Sequence, residues 1–149
     1  MYHFAYGSNL STAYTRDLLP SAKLFMKAFL PNYSVQFQFW SKIRNGGVSN
    51  IVPDMGKMVH GVLFEVPEEE MVALDTIRGG YLSQYYRKTL ITVGEDGNFY
   101  PADIYRVIDP QGPYEPSRGY VKIMLDGARE HDLDPDYIKM IEEFYEKGV

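Results

Sequence analysis

The spacing of apolar positions changes several times along the chain, and each change marks an element. Tyr2 to Ala5 is a short apolar run that stops at Gly7, the pattern of a strand feeding a turn. Leu10 to Leu19 reads as a helix that ends before Pro20, because a proline disfavours helical backbone in the residue preceding it. Within Phe29 to Trp40, Val35, Phe37 and Phe39 alternate with Gln36 and Gln38, which predicts a strand with one buried face. Asn45-Gly46-Gly47 is turn chemistry, and Val48 to Val52 and Val59 to Val66 follow as two further strands. Pro67 stands at a first helical position, and Glu68, Glu69 and Glu70 oppose the positive end of the helix dipole. Met71 and Leu74 give that helix its apolar side, and Gly79-Gly80 ends it.

Tyr86 to Val93 is the next strand, and Ala102 to Val107 the last, joined through Glu95-Asp96-Gly97-Asn98 as a hairpin. From Ser117 the period becomes helical. Ser117 is the N-cap, and Tyr120, Ile123, Met124 and Ala128 share a face. Asp134-Pro135 opens a final helix with Tyr137, Ile138, Ile141 and Tyr145 or Phe144 inward. About six strands with few helices, mostly C-terminal, predict an α+β fold with a mixed or antiparallel barrel-like sheet. No repeat, linker or low-complexity tract interrupts the chain, so residues 1–149 read as a single domain.

Composition narrows the function classes. The chain is 45% hydrophobic and 15% aromatic, which argues for a packed core. Thirteen tyrosines supply bulk with a polar tip, suited to a wet pocket. A net charge of −5 disfavours a nucleic-acid or membrane-surface role, since both need a basic patch. The absence of cysteine excludes disulfides, zinc–thiolate sites and a cysteine nucleophile, and fits a cytoplasmic protein. Neither a membrane-spanning run nor a signal peptide is expected. His3, His60 and His131 share no metal-ligand spacing, so structural roles are expected for all three, with no metal or cofactor.

Tyr6-Gly7-Ser8-Asn9 is the leading candidate for chemistry. Glycine lets backbone approach a ligand closely, successive amides in a tight turn can bind an anion, and Ser8 and Asn9 add donors. The competing reading of the same four residues is a turn that only starts a helix. Ser8 has no evident histidine partner, which sets aside a serine nucleophile. Glu68 to Glu70 read as a solvated helix start rather than an acid/base site.

Phe4-Ala5-Tyr6-Gly7-Ser8-Asn9-Leu10 resembles the N-terminal signature of the γ-glutamylcyclotransferase-like family, which includes the AIG2-like proteins. Further segments resemble that family in the same order. They are Asn45-Gly46-Gly47-Val48, Val59-His60-Gly61-Val62-Leu63-Phe64, Leu74-Asp75, Tyr86-Arg87, Tyr114-Glu115-Pro116-Ser117 with Tyr120, and Asp126-Gly127-Ala128. The resemblance covers nearly the whole chain. It implies an acyl transfer, transferase or lyase in type. The substrate's α-amine attacks its own γ-amide carbonyl, forms 5-oxoproline and releases an amine. In the family a glutamate moves the protons, and the Tyr-Gly-Ser-Asn loop offers backbone donors to the substrate oxygens. The resemblance places Tyr6, Gly7, Ser8, Asn9, Leu10, Arg78, Tyr85, Tyr86 and Tyr120 at the ligand.

The sequence departs from the family at one position. The family reads Leu-Asp-x-x-Glu-Gly, and this chain reads Leu74-Asp75-Thr76-Ile77-Arg78-Gly79. A guanidinium stays protonated and cannot accept the ammonium proton. Several explanations stand open. Asp75 or Glu115 supplies the acid from elsewhere, the site does different chemistry, or it binds a small anionic metabolite or nucleotide-like ligand without turnover. Alternatively, Arg78 points to solvent.

Overall fold

The computed structural model describes residues 1–76 and 81–149. Five strands close into a barrel in the order β1-β3-β2-β4-β5. They are β1 (Tyr2–Ala5), β2 (Lys23–Ser41), β3 (Gly46–Glu65), β4 (Tyr85–Gly94) and β5 (Phe99–Val107). All pairings are antiparallel except β1 with β5, which meet in parallel at His3 and Asp103. The α-helices among the described residues are α1 (Thr12–Leu18), α2 (Glu68–Asp75), α3 (Arg118–Glu130) and α4 (Pro135–Lys147). The α+β class and the mixed barrel are therefore as the sequence predicts.

The strand count is five rather than six for a physical reason. The two strands expected at Val48 to Val52 and Val59 to Val66 are parts of β3, which pairs with β2 from Glu65 to Gly46 as one strand. The register jumps between Pro31/Met58 and Tyr33/Pro53, so residues 54–57 bulge out. Asn32, in the left-handed region at φ 64°, accepts the Gly56 amide across the bulge and steadies it. The first helix also starts later than the pattern suggests. Ser8–Leu10 forms a 3-10 turn, and Ser11 accepts from the Tyr14 amide as the N-cap of α1. In α2, Thr76 closes the C-terminus through its hydroxyl to the Ala73 carbonyl. The proposed stop at Gly79-Gly80 lies outside the described residues.

One continuous core fills the barrel and the space under α3 and α4, with Phe4, Val62, Leu63, Ile104, Val121, Met124 and Ile141 all buried. Ser117 caps α3 by accepting from the Tyr120 amide, as expected. Its own amide donates to the Gly47 carbonyl, which fixes the start of α3 against β3. That docking carries Tyr120 under the loop that follows β1.

Candidate functional site

The turn after β1 forms one wall of a cavity of about 40 Å³. His3 to Asn9 supply that wall, and Ser49 on β3, Tyr85 on β4, Tyr105 on β5 and Tyr120 on α3 complete it. Tyr85 and Tyr105 are shared with an adjoining hollow of about 390 Å³, whose other walls are Leu74, Asp75, Tyr86, Arg87 and Asp103.

The loop is held by side chains rather than by its own turn alone. The Ser8 amide donates to the Tyr120 hydroxyl at 3.2 Å, and that hydroxyl shares a hydrogen bond of 2.7 Å with Ser49 Oγ. Burial pushes the Tyr120 phenol above its ordinary pKa, so it stays protonated. Gly7 is required here by close approach. A Cβ at that position would overlap the Tyr120 hydroxyl and lie 2.6 Å from Ser49 Oγ. The Leu10 and Ser11 amides are used within the turn. Gly7 and Asn9 are left as the loop amides without a partner among the described residues.

The tyrosines direct their protons to acceptors. Tyr6 Oη donates to the Tyr105 carbonyl at 2.6 Å, and Tyr85 Oη donates to the Ser49 carbonyl at 2.6 Å. Tyr105 Oη donates to Asp75 Oδ1 at 2.7 Å. Burial, then the Asp75 hydrogen bond and charge, push the Tyr105 phenol well above its ordinary range. Arg87 joins Asp75 to Asp103, with 2.7 Å contacts to each carboxylate. Burial opposes its charge, yet the hydrogen bond it donates to Asp75 and the two carboxylate charges leave its pKa raised. Thr89 donates to the other Asp103 oxygen at 2.6 Å.

Of the residues expected at the ligand, Tyr6, Gly7, Ser8, Asn9, Tyr85 and Tyr120 meet around the cavity. Tyr86 lines only the adjoining hollow. Leu10 is fully buried and faces α3, where it packs against Gly127. Asp75 lies in the adjoining hollow with both carboxylate oxygens engaged. Glu115 is exposed and lines neither space, and its backbone carbonyl accepts the Gly47 amide on the hairpin. Arg78 lies outside the described residues. Ser49, Tyr105 and Asp103 were not singled out by sequence, His3 was expected only in a structural role, and Arg87 entered only within the Tyr86-Arg87 motif. Their signal would have been strand register, which local pattern does not contain. Among the described residues, no carboxylate and no Lys or Arg lines the 40 Å³ cavity, and no cluster of His, Cys, Asp and Glu could hold a metal.

A closed five-stranded barrel with a small recess at the turn after its first strand is the fold shared with γ-glutamylcyclotransferases. The sequence profile of the AIG2-like family matches residues 58–141, more than half of the chain, and the protein belongs to that family. It is similar to the γ-glutamylcyclotransferase of Bos taurus, 27% identical over 143 residues that cover 93% of this chain and 76% of the relative. The corresponding protein of Homo sapiens is 28% identical, with 91% and 73% covered. A solved structure titled γ-glutamyl cyclotransferase superposes with a TM-score of 0.87 at 27% identity, covering 95% of this chain and 86% of that one. A yeast γ-glutamyl cyclotransferase specific to glutathione shares the fold at a TM-score of 0.68 and 10% identity. No helix among the described residues is long and apolar enough to cross a membrane.

Proposed function

We propose that this chain takes the γ-glutamyl head of an amine or peptide into the cavity beside Tyr6 to Asn9, and that Arg78 in place of the family's glutamate leaves release of 5-oxoproline slow or absent. The observation that carries this reading is the chemical make-up of the wall. Two backbone amides, at Gly7 and Asn9, suit the substrate's oxygens. The Asn9 carboxamide and the tyrosine oxygens suit an ammonium. A γ-glutamyl head carries both kinds of group.

The reaction needs a proton acceptor before anything else. The α-ammonium must lose a proton so that its nitrogen can bond to the γ-carbonyl carbon. The amide C–N bond then breaks, and the departing amine takes up a proton. Proximity is built into the substrate, because attack is intramolecular. A guanidinium cannot receive the first proton. Asp75 and Asp103 are the carboxylates of the adjoining hollow, and Arg87, Tyr105 and Thr89 already engage their oxygens.

A second reading rests on the same facts. With a permanent cation at position 78 and no carboxylate among the described residues of the cavity wall, the protein would hold a small anionic metabolite without turning it over. The two readings separate in one assay. The wild type, Arg78→Ala and Arg78→Glu are incubated with γ-glutamyl amino acids, and 5-oxoproline is measured. Activity gained by Arg78→Glu supports a γ-glutamyl pocket that lacks only its base. A correctly folded but inert Arg78→Glu, with an anion retained by the wild type and lost in Arg78→Ala, supports the binder. Turnover by Arg78→Ala would place the base elsewhere.

A further inference from the structure

The cavity wall contains a histidine that the proposed reaction does not use. His3, on β1, is 2% exposed, with its ring edge-on to Tyr105 at 5.8 Å between centres. His3 Nδ1 lies 3.0 Å from the Asp103 backbone oxygen. A carbonyl only accepts, so Nδ1 carries the proton, and in a neutral ring Nε2 is then a bare acceptor. Asn9 Nδ2 lies 3.0 Å from that Nε2. The bond therefore runs from the carboxamide to the ring, and it decides which way the two ends of Asn9 point. Asn9 Oδ1 is turned away from His3 and has no partner among the described residues, while Asn9 itself lines the cavity.

We infer that His3 is a positioning residue: its neutral Nδ1–H form locks the Asn9 carboxamide with Oδ1 as the outward-facing acceptor, so that the cavity selects a ligand end bearing N–H donors. Naming that end as an α-ammonium rests on the γ-glutamyl reading above; the locking of Asn9 does not. A protonated ring would face the Asn9 amino group with a second donor, so Asn9 would have to turn over and offer its amino group instead. Burial keeps the ring neutral and pushes His3 down to about 4. The Asp103 carbonyl and carboxylate oppose that shift, and the Arg87 charge reinforces it. Among the described residues, Tyr105 is a further titratable group packed on the ring.

Two substitutions divide the two ends of the ring. In His3→Asn, the side-chain amide can still donate to the Asp103 carbonyl, from near the place of Nδ1, but cannot reach Asn9. In His3→Gln, the longer amide can present its oxygen near the place of Nε2 and accept from Asn9. Nitrogen-15 NMR on the unliganded protein at neutral pH should find Nδ1 protonated and Nε2 bare. One Asn9 side-chain amide proton should be protected from exchange in the wild type and His3→Gln, and unprotected in His3→Asn. Binding is then measured with γ-glutamylalanine and with N-glutarylalanine, which has the same skeleton without the α-amine. The preference for the amine-bearing probe should fall roughly tenfold in His3→Asn, the worth of one reoriented hydrogen bond to a charged group, and return in His3→Gln. A purely structural His3 would weaken both probes equally. A proton on Nε2 at neutral pH, equal Asn9 exchange in all three proteins, or an unchanged preference would each overturn the inference. If neither probe binds, the γ-glutamyl reading falls, and Asn9 exchange alone decides the role of His3.

Discussion

The hydroxyl of Tyr120 lies in the loop's support, and removing it gives a quantitative test of how the site is held. Tyr120 and Ser49 are 3% and 1% exposed. The Tyr120→Phe variant removes the hydroxyl that accepts the Ser8 amide and shares a hydrogen bond of 2.7 Å with Ser49 Oγ. A buried polar group left unpaired costs about 1–3 kcal/mol, so losing both bonds should cost about 3 kcal/mol. Gly7→Ala acts on the same atoms in the opposite sense, by crowding. Its new methyl would meet the Tyr120 hydroxyl and Ser49 Oγ, and overpacking of that kind costs about 2 kcal/mol.

The pair should not add. In the Tyr120→Phe background the nearest obstacle to the methyl is gone, and the ring carbon that bore it is 3.6 Å away, an ordinary contact. Ser49 is also freed to rotate. Gly7→Ala should then cost at least about 1 kcal/mol less than in the wild type, within the range seen for touching residues. Urea denaturation followed by circular dichroism, with unchanged slopes, measures all four corners of the cycle. Additivity to within about 0.3 kcal/mol, or a Tyr120→Phe cost under about 0.5 kcal/mol, would refute the account of how this loop is held.

Three further outcomes follow from the same geometry. His3 titrates at about 4 when folded against 6.5 when unfolded. Between those values only the unfolded chain takes up the proton, so stability should fall as pH drops from about 6.5 to about 4, by up to roughly 3 kcal/mol. The part due to His3 is the difference between wild type and His3→Gln, because His60 is lowered by burial as well and adds a slope of the same sign. Arg87→Met strands two carboxylates that are 32% and 13% exposed and should cost about 2 kcal/mol, whereas Lys122→Met on the exposed Lys122–Asp126 pair should cost less than about 0.5 kcal/mol. In Gly127→Ala, a methyl would press on the Leu10–Ser11 backbone, 2.5 Å from the Ser11 nitrogen. Thermal unfolding should show net destabilisation, despite the roughly 1 kcal/mol that alanine gains over glycine in a helix.

What the sequence discloses is what short-range chemistry fixes. Tyr6-Gly7-Ser8-Asn9 is visible because a turn's residue types are set by its own backbone. Ser117 and Asp134 are visible because a cap is read within three residues, and both do cap their helices. The cavity's far walls are not visible in this way. Ser49 reaches Tyr120 across 71 positions, and Tyr6 reaches Tyr105 across 99. Which strand residue meets which depends on register, and here a four-residue bulge at 54–57 resets that register in mid-strand. Leu10 illustrates the limit within a single turn. It follows Asn9 directly, yet the 3-10 geometry sends Asn9 to the cavity and Leu10 into the core.

The loop's shape therefore belongs as much to α3 as to β1. Tyr120 and Gly127 are seven residues apart, two helical turns on one face. The first receives the Ser8 amide, and the second lies flush against Leu10 and Ser11. One turn beyond, His131 at the C-cap donates from Nε2 to the Leu10 carbonyl at 2.9 Å. A single rigid helix thus grips the loop at both ends, while the Gly7 and Asn9 amides have no partner among the described residues. It follows that changes on the α3 face should alter ligand recognition even where they touch no ligand.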